Sequence, residues 1–233
     1  MSEDIAKFNA AQAALEYVRD GMVVGLGTGS TSAHFVRQLG ARVRQGLRVK
    51  GVPTSEATRN LAEQVGVPLL EISQVGSLDL DVDGADEVDP AFRLIKGGGG
   101  ALLREKIVAA ASKKMVVIAD ETKWVETLGA FPLPVEVTRF GFALTQDRVV
   151  QALRSTGCAG NEVVLRVSGK ANEPVITDGG NYILDAHAKR IPDADALGRA
   201  LKDIAGVVEH GLFIGLSHVV IIGKAKGAEV KTL

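Results

Sequence analysis

Short apolar runs alternate with helix-periodic segments through the first half of the chain, and few architectures satisfy that alternation. Met22-Val23-Val24-Gly25-Leu26, Leu47 to Val52, Val67 to Ile72, Leu78 to Val82 and Met115 to Ala119 read as strands. Between them, Ile5, Phe8, Ala11, Leu15 and Val18 fall on one helical face, closed by Asp20-Gly21. Ser32, Val36, Leu39 and Val43 predict a second helix opening near Ser30 or Thr31, both good caps. Thr54 to Val65 and Ala101 to Lys113 predict two more. Strands that are continuously apolar and separated by helices are buried on both faces, which is the signature of a parallel sheet with helices packed on each side.

The pattern changes near Phe131-Pro132-Leu133-Pro134, where closely spaced prolines suit a junction or an edge segment. Beyond it the sequence predicts a strand at Val135 to Thr138, a helix at Leu144 to Ser155 and a loose hairpin of Glu162–Val167 with Val175–Asp185. Within that hairpin Asp178-Gly179-Gly180-Asn181 forms its own turn, and a helix at Asp193 to Ile204 follows. The final apolar run, His218 to Ile222, again has the character of a core parallel strand. The expected fold class is therefore α/β, a Rossmann-like parallel-sheet domain with a second, smaller α+β domain inserted near the C-terminus. The expected boundaries are 1–130 with 211–233 for the first and 131–210 for the second.

Composition narrows the function. Lys and Arg number 27 against 28 Asp and Glu, for a net charge of -1, so no basic field attracts nucleic acid or an anionic membrane. Aromatic residues are 4% of the chain, too few for a base-stacking platform. Cys158 is the single cysteine, which excludes internal disulfides and a cysteine-based zinc site. The acidic start Met1-Ser2-Glu3-Asp4 lacks the pattern of a signal peptide, and the expected location is cytoplasmic.

The unusual count is glycine, 27 residues, much of it clustered. Gly25-Leu26-Gly27-Thr28-Gly29-Ser30-Thr31 lies between a strand and a helix, where outward amides, a helix dipole and the hydroxyls of Ser30 and Thr31 favour a phosphate. It is no Walker loop, since no Gly-Lys-Ser/Thr follows, and Ser30 stands in place of the third glycine of a dinucleotide fingerprint. A tight turn without a ligand is the alternative. The acidic stretch from Asp79 to Asp89 begins like a calcium loop but puts Pro90 where a bidentate Glu is required. It reads either as a strand with a solvated acidic face or, because Gly84 ends the strand at its carboxyl end, as a place where Asp83 and Asp86 meet sugar hydroxyls. The third cluster, Lys96 followed by Gly97, Gly98, Gly99 and Gly100, precedes a helix with an apolar face of Leu103, Ile107 and Ala110. Glu105 points the other way, alongside Ala101, Leu102 and Ala109. A carboxylate on such a wall is partly desolvated and a stronger base, whereas a surface Glu paired with Arg104 or Lys106 is the plainer reading. Lys96 is suited to stabilising an oxyanion. Lys123, following the strand that ends at Ala119-Asp120, is a surface base or a further phosphate contact. His34, His187, His210 and His218 have no metal-ligand spacing and carry no assigned chemistry.

Together with Val82 to Glu87, Ala119-Asp120-Glu121-Thr122-Lys123, Phe131 to Val137 and Gly211-Leu212-Phe213, these motifs make the chain resemble the type A ribose-5-phosphate isomerases over nearly its whole length. Thr122 stands where Ser is commoner, and keeps the hydroxyl. The resemblance implies interconversion of ribose 5-phosphate and ribulose 5-phosphate in the non-oxidative pentose phosphate pathway, without cofactor or metal, by a homodimer. It places the catalytic base on Glu105, sugar-contacting carboxylates on Asp83 and Asp86, and the catalytic lysine on Lys96. It extends substrate contacts to Thr28, Gly29, Ser30 and Thr31, to Gly84 and Ala85, to Gly97, Gly98 and Gly99, and to Lys123. Two other classes share the expected build: a sugar-phosphate sensor without turnover, and an acyl- or CoA-transfer enzyme in which Glu105 is the nucleophile.

Overall fold

The computed structural model describes residues 2–233. Up to Ala85 the chain forms α1 (Ser2–Ala14), β1 (Val23–Leu26), α2 (Ser30–Arg44), β2 (Lys50–Pro53), α3 (Glu56–Val65) and β3 (Leu80–Gly84). There follow the short β4 (Glu87–Val88) and β5 (Leu94–Ile95), then α4 (Leu102–Ala110) and β6 (Met115–Asp120). The remainder is β7 (Leu133–Val137), α5 (Phe142–Ser155), β8 (Glu162–Leu165), β9 (Val167–Ser168), β10 (Glu173–Pro174), β11 (Tyr182–His187), α6 (Ala194–Lys202), β12 (Val207–His210), β13 (Leu212–Phe213), β14 (Val219–Gly223) and β15 (Ala228–Thr232).

Two compact units result, the first from Met1–Ala85, Arg104–Trp124 and Gly215–Leu233, the second from Asp86–Leu103 and Val125–Ile214. The chain thus leaves the first unit after Ala85 and re-enters it within α4. Asp86–Leu103, assigned by the sequence to the first domain, belongs to the second unit, because β5 pairs with β13. The second unit also begins at Val125 and extends to Ile214, beyond the proline-marked limits of 131 and 210.

In the first unit a six-stranded sheet has the order β15-β14-β6-β3-β1-β2, parallel except for β15. One face, formed by Val24, Leu26, Leu80, Val82, Val116, Ile118, Val219 and Ile221, packs with apolar residues of α1, α2 and α3. Side chains alternate along a strand, so Gly25, Asp81 and Asp83 face the other side. There α4 lies against the sheet, with Val108 clustered with Val52 and Leu78. In the second unit β12-β7-β11-β8 is an antiparallel sheet, and β13-β5-β4 a smaller one. Its core joins Leu133, Val135 and Val137 to Val149 and Leu153 of α5 and to Leu197 and Leu201 of α6.

Two expectations are corrected, and a third, the apolar wall around Glu105, is met. Val67 to Ile72 contributes only an isolated bridge, Gly51 with Leu69, because Pro68 has no amide to give a ladder. The N-cap of α2 is Gly29, at φ +113, with Ser30 and Thr31 already inside the helix. The buried face of α4 carries Leu102, Glu105, Val108 and Ala109, while Ile107 is 48% exposed. The wall of Ala101, Leu102 and Ala109 read beside Glu105 is thus buried, and the carboxylate with it.

The first two glycines of the β1–α2 segment make room for acids. A Cβ at Gly25 would stand 2.6 Å from Asp81 Oδ1 and 2.5 Å from Val108 Cγ1, and one at Gly27 would stand 2.0 Å from Asp83 Oδ1 and 2.6 Å from Asp83 Cα. The second conflict includes backbone and cannot relax by a rotamer change. Gly27→Ala should therefore lower stability by roughly 1–3 kcal/mol or more, read as a shift in the urea midpoint. Gly76→Ala, where no heavy atom lies within 4 Å of the added carbon, should stay within about 0.5 kcal/mol. Equal stability of the two variants would contradict the packing described.

Candidate active site

In the first unit the candidate residues gather at the carboxyl edge of the parallel sheet, where open α/β sheets present their loops to ligands. Asp83, on β3, is fully buried. Its Oδ1 accepts from the Thr28 amide at 3.1 Å, the Gly84 amide at 2.7 Å and the Ser32 hydroxyl at 3.2 Å. The Ser32 hydroxyl oxygen in turn accepts from the Gly84 amide at 3.1 Å. A carboxylate removed from water is tolerated when donors replace the water, and these do so. Asp81, one pleat earlier on the same face, is also at 0% exposure. The solvated acidic face that the sequence allowed for β3 is absent.

The β1–α2 turn divides its donors. The Thr28 hydroxyl donates to Ser55 Oγ at 2.8 Å, Ser55 Oγ to Thr58 Oγ1 at 3.1 Å, and Thr58 Oγ1 to the Gly27 carbonyl at 3.0 Å. Each hydroxyl has one proton, so this directed chain uses the proton of Thr28 inside the protein. Its amide is likewise turned to Asp83. The opening amides of α2, at Ser30 and Thr31, have no partner within the helix by its geometry, and Ser30 is exposed. At Gly29 no heavy atom lies within 4 Å of a Cβ position, so the helix N-terminus opens onto free space. The outward-facing donors of this turn, two amides and two hydroxyls at the positive end of a helix dipole, therefore lie at Gly29 to Thr31.

Glu105 sits in α4 on the face turned to the sheet and is 4% exposed. Its neighbour Arg104 reaches Glu56 at the start of α3, at 2.8 Å. Arg104 holds the Glu56 carboxyl below its ordinary range. Lys123 ends a short 3-10 turn capped by Asp120, whose Oδ1 accepts from the Thr122 amide at 3.0 Å. That turn directly follows β6, the neighbour of β3.

The second unit holds Asp86, Lys96 and the glycine loop. Asp86 Oδ2 accepts from the Gly98 amide at 2.8 Å, and a Cβ at Gly98 would stand 2.6 Å from Asp86 Oδ1. Lys96 is 2% exposed, with its ammonium 5.4 Å from the centre of the Phe213 ring, a cation–π arrangement. Gly84 and Ala85 lie half-buried just before the chain crosses into this unit, and Gly98 and Gly99 are exposed.

Asp79, Glu87 and Asp89 of the calcium-like stretch use oxygens on the chain's own donors. Asp79 accepts from the Val23 amide and pairs with Lys113. Glu87 accepts from the amides of Gly129 and Phe131, and Asp89 binds Arg93. Among the described residues no group of three or more His, Cys, Asp or Glu is placed to hold a metal ion. Sequence reasoning missed Ser55 and Thr58 as partners of Thr28, and placed Ser32 only on a helix face. Their signal was present in the hydroxyl-rich Thr54-Ser55 at a helix start, but not in any spacing.

The family model for ribose 5-phosphate isomerase A (phosphoriboisomerase A) matches residues 50–227. Proteins named ribose-5-phosphate isomerase A from Maricaulis maris and Nitrobacter hamburgensis are 56% and 58% identical to the chain, covering 96% and 99% of it and 96% and 98% of their own lengths. Among solved structures, ribose 5-phosphate isomerase A from Methanocaldococcus jannaschii superposes with a TM-score of 0.88 at 41% identity over 98% of both chains. A D-ribose-5-phosphate isomerase in complex with phospho-erythronic acid superposes with a TM-score of 0.91 at 37% identity over the whole of both chains. With relatives matching it from end to end in both sequence and fold, the chain belongs to the ribose 5-phosphate isomerase A family.

Proposed function

We propose that the chain interconverts D-ribose 5-phosphate and D-ribulose 5-phosphate through an enediolate. The observation that carries this reading is the burial of Glu105 on the sheet-facing side of α4. Glu105 places a carboxylate on a face otherwise formed by Leu102, Val108 and Ala109, and aldose–ketose isomerisation requires one base of this kind. The base removes the C2 proton of the open-chain aldose as the C1 carbonyl oxygen becomes an enediolate oxygen. Return of the proton to C1, with proton exchange between the two oxygens, gives the ketose. Lys96 and the amides of the glycine loop stabilise the oxyanion. Asp83 or Asp86 assists furanose opening by exchanging a proton with the ring oxygen or the anomeric hydroxyl. The phosphate sits on the Gly29–Thr31 amides and hydroxyls with Lys123 adding charge, while Thr28 holds the turn in shape. The relative complexed with phospho-erythronic acid supports a phosphorylated sugar as ligand. The partners in this reading are the phosphorylated pentose and a second copy of the chain, and the compartment is the cytoplasm.

Glu105→Gln keeps the shape of the side chain but cannot take the proton. In a coupled assay with ribose 5-phosphate, turnover should fall by roughly 10²–10⁴ with ligand binding retained. A variant within a few-fold of the parent would remove Glu105 from the chemistry. A parent that binds the sugar phosphate without converting it would be a sensor.

Exhaustive EDTA treatment should leave turnover intact, because among the described residues no group of three or more His, Cys, Asp or Glu is placed to hold a metal ion. Loss of activity restored by one divalent ion would overturn the metal-free mechanism.

Thr31→Ala removes one hydroxyl donor to a charged group, at a cost of about 1–3 kcal/mol in substrate binding. Inorganic phosphate should compete with substrate in the parent and less well in the variant. Equal inhibition of both, together with full turnover of unphosphorylated ribose, would place the phosphate elsewhere.

A further inference from the structure

The second unit contains an arginine that no sequence pattern singles out and that grips the glycine loop. Arg166 lies between β8 and β9 with its backbone engaged on both sides, its amide donating to the Ile183 carbonyl at 2.8 Å and its carbonyl accepting from the Val175 amide at 2.9 Å. Its side chain is 15% exposed and forks onto Asp185 of β11, with Nε 2.8 Å from Oδ2 and Nη2 on Oδ1. The third nitrogen, Nη1, donates to the Gly97 carbonyl at 2.8 Å and the Gly98 carbonyl at 3.2 Å. One rigid guanidinium therefore joins a strand carboxylate to two successive peptide groups of the loop.

Those peptides need an external hold. Gly97 is at φ +104 and Gly100 at φ +82, and consecutive glycines leave the backbone many accessible conformations. Within the loop the Gly100 amide donates to the Gly97 carbonyl at 3.0 Å. Orienting the carbonyls of Gly97 and Gly98 fixes the planes of the peptides that contain them. On the other side of the same residue, the Gly98 amide is directed at Asp86 Oδ2. The connected series is Asp185, Arg166, Gly97–Gly98, Asp86, all within the second unit.

We propose that Arg166 is a positioning residue for the isomerisation, holding the Gly97–Gly98 peptides so that Lys96 and Asp86 keep their working orientation. The proposal rests on the isomerase reading given above. Lysine cannot replace it: an ammonium is a single point charge, whereas this site uses three nitrogens of a planar fork in three directions. Asp185 is the support of that fork and acts through it.

The test uses the full-length protein and compares Arg166→Lys, Asp185→Asn and their combination in steady-state turnover of ribose 5-phosphate, with thermal unfolding and inhibition by inorganic phosphate measured alongside. Each single variant should lower kcat by roughly ten- to a hundredfold, the scale expected when reacting groups are displaced by about an ångström. The inhibition constant for inorganic phosphate should stay within about twofold, because the phosphate is read by the first unit. The double variant should be no slower than the slower single one, since both changes break one linkage. Arg166→Ala should regain part of its kcat when methylguanidinium is added, a recovery that a general loss of packing would not show. Single variants with parental kcat, or additive losses without chemical rescue, would overturn the positioning role. A parent enzyme that does not turn over ribose 5-phosphate would instead overturn the isomerase reading on which the proposal stands.

Discussion

Placing carboxylates inside a parallel sheet depends on the neighbouring strand giving up side-chain volume, and the first unit depends on that exchange. Gly25 and Gly27 carry no Cβ where Asp81 and Asp83 project, and Asp83 then binds the amides of Thr28 and Gly84 and the hydroxyl of Ser32. One oxygen thereby joins the end of β3 to the turn before α2 and to the first turn of that helix. The conformation of the β1–α2 turn follows from this bond, because the Thr28 amide is turned inward and the next amides are left facing out. The glycine-rich segment serves two ends: its first two glycines accommodate acids, and Gly29 supplies the left-hand backbone at the helix start.

Much of this was legible from residue order. Uninterrupted apolar runs such as Met115 to Ala119 could only be buried strands, and Ser55 and Asp193 marked helix starts that the structure caps with those side chains. Pairing across distance was not legible. Nothing in Leu94-Ile95 says that it will join Leu212-Phe213, and without that pairing Asp86 to Leu103 cannot be assigned to the second unit. On α4 the small apolar neighbours of Glu105 were legible, and the structure buries the carboxylate among them. Hydrophobic periodicity cannot know that the opposing strand, at Gly25, has left a recess into which Val108 fits.

The site was legible in the same uneven way. Acids and glycines announce themselves in clusters, so Asp83, Asp86, Lys96 and Glu105 stood out early. The groups that hold them are single residues far away in sequence: Ser55 and Thr58 for Thr28, Phe213 beneath Lys96, Arg166 across the glycine loop. A lone Arg in a strand-like stretch has no local mark that distinguishes it from any solvated charge. Its meaning lies in two carbonyls almost seventy positions earlier.

The route of the chain also bears on its biosynthesis. Asp86 to Leu103 leaves the ribosome well before Leu212-Phe213, so β5 is made long before β13, with which it pairs. The first unit waits longer still, because β14, which completes the parallel ladder beside β6, follows it by almost the whole of the second unit. Until then the edge of β6, apolar from Met115 to Ala119, has no strand beside it on that side, the kind of edge on which nascent chains aggregate. Neither sheet is completed in order of synthesis, and each closes only once its distant strand has been made.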